Sequence, residues 1–118
     1  MKYLCLVYQE ETLADALPQR AHDAMRDDVR HYREELQASG HFIASFPLQP
    51  IQTATTVRVR NGRVSVSDGP FAQTNEQLGG LYLIAARDLN DAIRVASKLP
   101  SARLGSIEVR PLDECGPD

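Results

Sequence analysis

Residues 66–80 read VSDGPFAQTNEQLGG and interrupt a valine-rich strand pattern with an acid, a Gly-Pro step, an aromatic and a small polar cluster. Asp68 stands beside Gly69, which lets backbone or ligand approach closely, and Pro70, which fixes the turn. A carboxylate held there, partly desolvated in a cleft, would have a raised pKa and act as general base or acid. Aspartate before glycine also closes Asx turns on its own backbone, so Asp68 has a purely structural alternative. Phe71 is expected to pin the loop to the core as an aromatic anchor, with stacking on a cofactor as its other use. Residues 74–77, TNEQ, match a capping box with Thr74 as N-cap and Gln77 reaching back. That predicts a short helical turn, with Glu76 on its surface or lining the cleft, where Phe71 and Glu76 would be ligand contacts. Gly79-Gly80 form no phosphate loop, because GxGxxG is absent and no Lys-Ser/Thr follows.

A second group lies between residues 19 and 39. Asp28, His31 and Glu35 fall at i, i+3 and i+7 of a predicted helix, and a carboxylate beside an imidazole is what acid-base work requires. Their face lies away from the apolar stripe, so its default reading is a solvated surface. His22 is closer to the stripe and could reach the sheet edge. His41 opens a strand with no partner visible in the sequence. Three histidines at these spacings suggest no metal site, and no cofactor is implied. Arg103 and Arg110 flank the final strand. Arginine clamps a carboxylate or phosphate bidentately, or bridges Asp68 or Glu108. Pairing is the expectation for Arg110, while Arg103 stays open between pairing and ligand contact.

The elements that must position these groups follow from apolar spacing. KYLCLVY (2–8) is apolar at nearly every position, as is LYLIAA (81–86), and both read as strands covered on two faces. EETLADALP is a loop or short turn, and Pro18 opens a helix over 19–39 with the stripe Ala21, Met25, Val29, Tyr32, Leu36. Gly40 ends it, and HFIASFPL supplies a strand closed by Pro47 and Pro50. In TTVRVRNGRVSVS, valines alternate with polar residues on either side of Asn61-Gly62, the signature of a type I′ hairpin with one apolar face. Asp88 is the expected N-cap of a second helix carrying Leu89, Ala92, Ile93, Ala96 and Leu99, with Pro100 at its exit. GSIEVRPL gives the last strand.

Strand, helix, strand, hairpin, strand, helix, strand is an α+β order, the ferredoxin-like split βαβ with an extra β-hairpin. Two helices cover one face of such a sheet. Leu4, Leu6, Tyr82 or their alternates would then face water, so a homodimer packed through the sheets is predicted.

At 118 residues the chain suits a single domain over 1–118 with a polar tail at 113–118. A net charge of −3 removes the basic footprint that nucleic acid needs. No apolar run approaches the roughly 18 residues of a membrane span, and the N-terminus turns acidic too early for a signal peptide, so a cytoplasmic location is expected. Cys5 and Cys115 form no CxxC and lie far apart in sequence, which indicates neither a zinc site nor a disulfide framework. Cys5 reads as a small core residue.

DGPFAQTNEQLGG followed by PSARLGSIEVRP resembles the YCII-related family in the subgroup named for its DGPF motif, and the resemblance runs from MKYLCLVY to SIEVRP. It implies a ferredoxin-like, dimeric α+β barrel in which two sheets face each other across a cleft. It also implies an acid-base role suggested from a His-Asp pair, although neither RAHDAM at His22 nor VRHYRE at His31 matches the RxxHL-like context of relatives. Some members resemble partners of extracytoplasmic-function sigma factors. The expectation is thus a homodimer with a cleft near Asp68 for a small polar or acidic molecule. Its alternatives are a ligand-sensing module that partners a sigma factor and a dimerisation unit.

Overall fold

The computed structural model describes residues 1–114; Cys115 and the rest of the tail lie outside the described residues. The order is β1 (Lys2–Gln9), α1 (Glu11–Asp15), α2 (Gln19–Ser39), β2 (Phe42–Pro47), β3 (Thr55–Arg60), β4 (Arg63–Asp68), β5 (Gln77–Ala85), α3 (Leu89–Ser97) and β6 (Ser106–Pro111). Short 3-10 turns occupy Ile51–Thr53 and Pro100–Arg103. Four strands form one antiparallel sheet in the order β2-β5-β1-β6, the ferredoxin-like arrangement, while β3 and β4 make a separate two-stranded sheet. The EETLADALP segment, expected as a loop or short turn, contains the five-residue α1. Among the described residues no helix is long and apolar enough to cross a membrane.

Strand alternation sorts the core. Tyr3 pairs with Ile84 and Cys5 with both Tyr82 and Val109, so these side chains share the face on which α2 and α3 pack. Tyr3, Cys5, Ile84 and Leu36 of α2 are buried there with Ala92, Val95, Ala96 and Leu99. Burial pushes the Cys5 thiol up to about 11, which keeps it protonated and unreactive. Tyr32 crosses from α2 to donate to the Val95 carbonyl at 2.7 Å. The stripe expected on α3 is rotated. Ala92, Val95, Ala96 and Leu99 are buried, whereas Leu89 and Ile93 are exposed, because Asp91 is turned inward.

The opposite face carries no helix. Leu4 pairs with Leu83 and Leu6 with Leu81, and all four are half-buried. Tyr82, one of the residues expected to face water, lies on the helix side, because its register partner is Cys5. Phe46 adds an exposed ring beside Leu81 on β2.

The hairpin forms as the Asn61-Gly62 step requires, with φ of 52° and 74° at the two turn residues. Val57 faces Val66 and Val59 faces Val64, which gives one apolar face whose valines are 55–67% exposed. The chain measures 48 × 44 × 18 Å with a radius of gyration of 16.3 Å. A compact chain of this length has about 13.5 Å. The excess reflects a slab of one sheet and one helix layer with the hairpin as a separate ribbon.

Asp88 caps α3 as expected, accepting from the Asp91 amide at 2.8 Å. Asp88→Ala is expected to lower stability by about 1 kcal/mol, read as a shifted urea midpoint with an unchanged slope. An unshifted midpoint would mean that α3 is held by packing alone.

Candidate functional site

The DGPF turn is built from backbone, not from its aspartate. Gly69 takes a φ of 98°, a conformation that favours glycine, and both its polar groups are used. Its amide donates to the Ala54 carbonyl at 2.8 Å, and its carbonyl accepts from the Thr56 hydroxyl at 2.7 Å. Asp68 is the exposed last residue of β4, opposite Thr55. Its carboxylate has no hydrogen bond or ion pair among the described residues, so the Asx turn weighed for it is not formed.

Residues 74–77 do not form the helical turn of a capping box, because Gln77 is already the first residue of β5. The Thr74 hydroxyl donates to the Glu76 carbonyl, and the Gln77 side-chain nitrogen, Nε2, donates to the carbonyls of Thr74 at 2.8 Å and Asn75 at 3.2 Å. The Gln77 side-chain oxygen accepts from the Glu11 amide at 3.0 Å, and the Glu11 carboxylate accepts from the Ile51 amide at 3.1 Å. One glutamine and one glutamate thus tie the DGPF loop, the start of α1 and the 48–54 segment into a unit. The Glu76 carboxylate accepts from the Ser106 hydroxyl at 2.8 Å.

This unit encloses a hollow of about 520 Å³, walled by Tyr8 and Leu78 from the open sheet face, Leu48 and Ile51 from one segment, and Pro70 and Phe71 from the loop. Such a size suits a small molecule, and most of the wall is apolar. Phe71 does not anchor the loop in the core. It is 71% exposed, with the Arg58 guanidinium 4.8 Å from its ring centre. A cation–π contact in water contributes only about 0.5–1 kcal/mol, so the ring is held loosely for so large an apolar group.

The histidines on α2 gain no catalytic partner. The His31 ring donates from Nδ1 to the Asp27 carbonyl at 3.0 Å, within its own helix. Asp28, weighed as its partner, instead pairs with Arg103 at 2.9 Å, and Arg103 Nε donates to the Pro100 carbonyl. His22 is half-buried, and its ring makes no hydrogen bond among the described residues. Arg110 pairs with Glu108 at 3.4 Å.

One cluster was invisible in the sequence. Asp91, 3% exposed, accepts from the Arg87 amide at 3.0 Å, from His41 Nε2 at 3.1 Å and from the Arg94 guanidinium. The other His41 nitrogen, Nδ1, meets the Ser39 hydroxyl at 2.7 Å. The Arg87 amide beside Asp91, then the Arg94 guanidinium and His41, hold its carboxyl well below the usual carboxylate range despite its burial. His41 and Asp91 are 50 residues apart, and only the sheet brings the start of β2 to the start of α3.

A family model described as a YCII-related domain matches residues 1–115. The chain is also 35% identical over 114 residues to an uncharacterised protein of Rhizobium meliloti (strain 1021), an alignment that covers 95% of this chain and 92% of that protein.

The Asp91 cluster generates a pH signature. Its folded-state carboxyl is depressed, so the stabilisation it provides is present above the unfolded value of about 4 and is lost as pH falls below it. Asp91→Asn is therefore expected to be less stable than the parent at pH 7, with the gap narrowing towards pH 3 in urea titrations. A gap independent of pH would contradict the ion-pair role.

Proposed function

The chain belongs to the YCII-related domain family, and we propose that it acts as a homodimeric small-molecule-binding protein whose cleft lies between the open sheet face and the DGPF loop. The carrying observation is the hollow of about 520 Å³ whose walls are Phe71 and Pro70 on one side and Tyr8 and Leu78 on the other. Its lining suits a molecule with an apolar body, and the Thr53 and Thr74 hydroxyls, whose protons are already donated to Pro50 and Glu76, keep acceptor lone pairs for one donor group on it. A second copy covers the leucines of the sheet and the valine face of the hairpin, and it closes the cleft from outside.

Asp68 is the group proposed to exchange a proton with the bound molecule. Gly69 alone separates it from Pro70 on the cleft wall, and its carboxylate makes no hydrogen bond or ion pair among the described residues. The turn around it is already held by Gly69, Ala54 and Thr56, which leaves the acid free for chemistry. Closure by a partner would remove water from around this carboxylate and bring it within reach of the bound molecule.

Two measurements test this reading. Anilinonaphthalene sulfonate, a fluorescent apolar probe, is expected to bind the folded protein saturably, and Phe71→Ala to weaken it about tenfold through lost aromatic contact. Absence of saturable binding, or equal binding by the variant, would remove the cleft. Asp68→Asn is expected to change stability by no more than about 0.5 kcal/mol, as at an ordinary surface position. A loss above about 1 kcal/mol would return Asp68 to a structural role.

A further inference from the structure

A second hollow, of about 720 Å³, is walled by the ends of α2 and β5 and by one side of α3. Met1 lines it and Tyr8 lines the cleft described above, so the two lie at opposite ends of β1, roughly 20 Å apart at the rise of an extended strand. We infer that this hollow binds a small molecule through an oxyanion, a phosphate or carboxylate group, gripped by Arg87, Arg94 and Lys98.

Charge is the first argument. The wall carries three permanent cations, Arg87, Arg94 and Lys98, against two carboxylates, Asp91 and Glu35. Asp91 is buried and its oxygens are filled by the Arg87 backbone, His41 and Arg94, so it is closed to any ligand. Glu35 is exposed, as are Arg87 and Arg94, so water screens all three alike and the wall keeps one cation in excess. The Lys98 ammonium has no hydrogen bond or ion pair among the described residues, which leaves it available to a ligand.

Preorganisation is the second. Arg94 Nη2 is fixed on one Asp91 oxygen, and Arg87 Nε lies 3.6 Å from the other. A guanidinium has five N–H donors; Arg94 uses one on Asp91 and Arg87 is only ion-paired to it, so most of both forks stay exposed for a ligand. The buried carboxylate thus limits the side-chain entropy that binding would otherwise have to overcome. The carbonyls ending α2 do not oppose an anion strongly, because the Gly40 amide caps Gln37 and the His41 amide caps Leu36. Tyr32, Leu36 and Val95 offer an apolar wall for the rest of the ligand.

The same geometry assigns His41 a positioning role. Asp91 takes one ring nitrogen and Ser39 the other, and the Ser39 hydroxyl is itself within 3.2 Å of the Leu36 carbonyl. Neither nitrogen is left to move a proton on a ligand, so the site is built for binding.

Phenyl phosphate, which joins an oxyanion to an apolar ring, is the probe. Titrated into the full chain and followed by amide NMR shifts, it is expected to saturate, with the largest shifts in residues 39–41 and 86–98. Lys98→Gln, whose fold is secured because the side chain holds nothing, is expected to weaken binding about tenfold, and Arg94→Gln at least as much. Arg20→Gln, on the distant start of α2, should leave it unchanged, and phenol should produce no saturable shift. The inference falls if phenyl phosphate fails to saturate by roughly 10 mM. It also falls if the shifts gather elsewhere, if both Lys98→Gln and Arg94→Gln bind like the parent, or if phenol binds as well as its phosphate.

Discussion

A four-stranded sheet has two faces, and this chain has helices for one. That constraint governs the rest of the structure. Tyr3, Cys5 and Ile84 are buried because α2 and α3 lie over them, and the alternation that turns them inward turns Leu4, Leu6, Leu81 and Leu83 outward. The hairpin repeats the problem with four exposed valines on one side. Burying such a side chain fully contributes about 1.5–3 kcal/mol. Four leucines and four valines on each of two copies outweigh the roughly 4–15 kcal/mol that association costs in lost freedom, even when each is only partly buried further. The proposed second copy follows from that balance.

The same constraint explains where the candidate cleft lies. The cleft opens on the side of the sheet that no helix covers, where Tyr8 and Leu78 project. The DGPF loop reaches that side because Gly69 reverses the chain at the end of β4 and Gln77 fastens the loop to α1. Phe71 is then left over the hollow with the Arg58 guanidinium against its ring. The Asp91 cluster, by contrast, belongs to the helix layer, and its chemistry is independent of anything that covers the open face.

Local signals in the sequence carried most of the architecture. Asn61-Gly62 specified the hairpin and Asp88 the start of α3, because turns and caps are decided by neighbours in sequence. The stripe on α2 was legible for the same reason, with Leu36 buried and Met25, Val29 and Tyr32 half-buried along one side. The errors arose where a distant group captured a local one. Thr74 and Gln77 have capping-box spacing, yet β5 claims Gln77 for the sheet and the Glu11 amide claims its side-chain oxygen. The α3 stripe turned because His41, 50 residues away, and two arginines hold Asp91 inside. Asp68 was legible as a position but not in its surroundings: the sequence offers an Asx turn there, and the tertiary partners of Gly69 make it unnecessary.

Sedimentation equilibrium on the wild-type chain tests the central claim most directly. With the open face covered by its own copy, the mass should be twice 13.1 kDa and persist on dilution to about 1 μM. A single species of 13.1 kDa that keeps its fold would contradict the account, because the leucines of the sheet would then be stable in water.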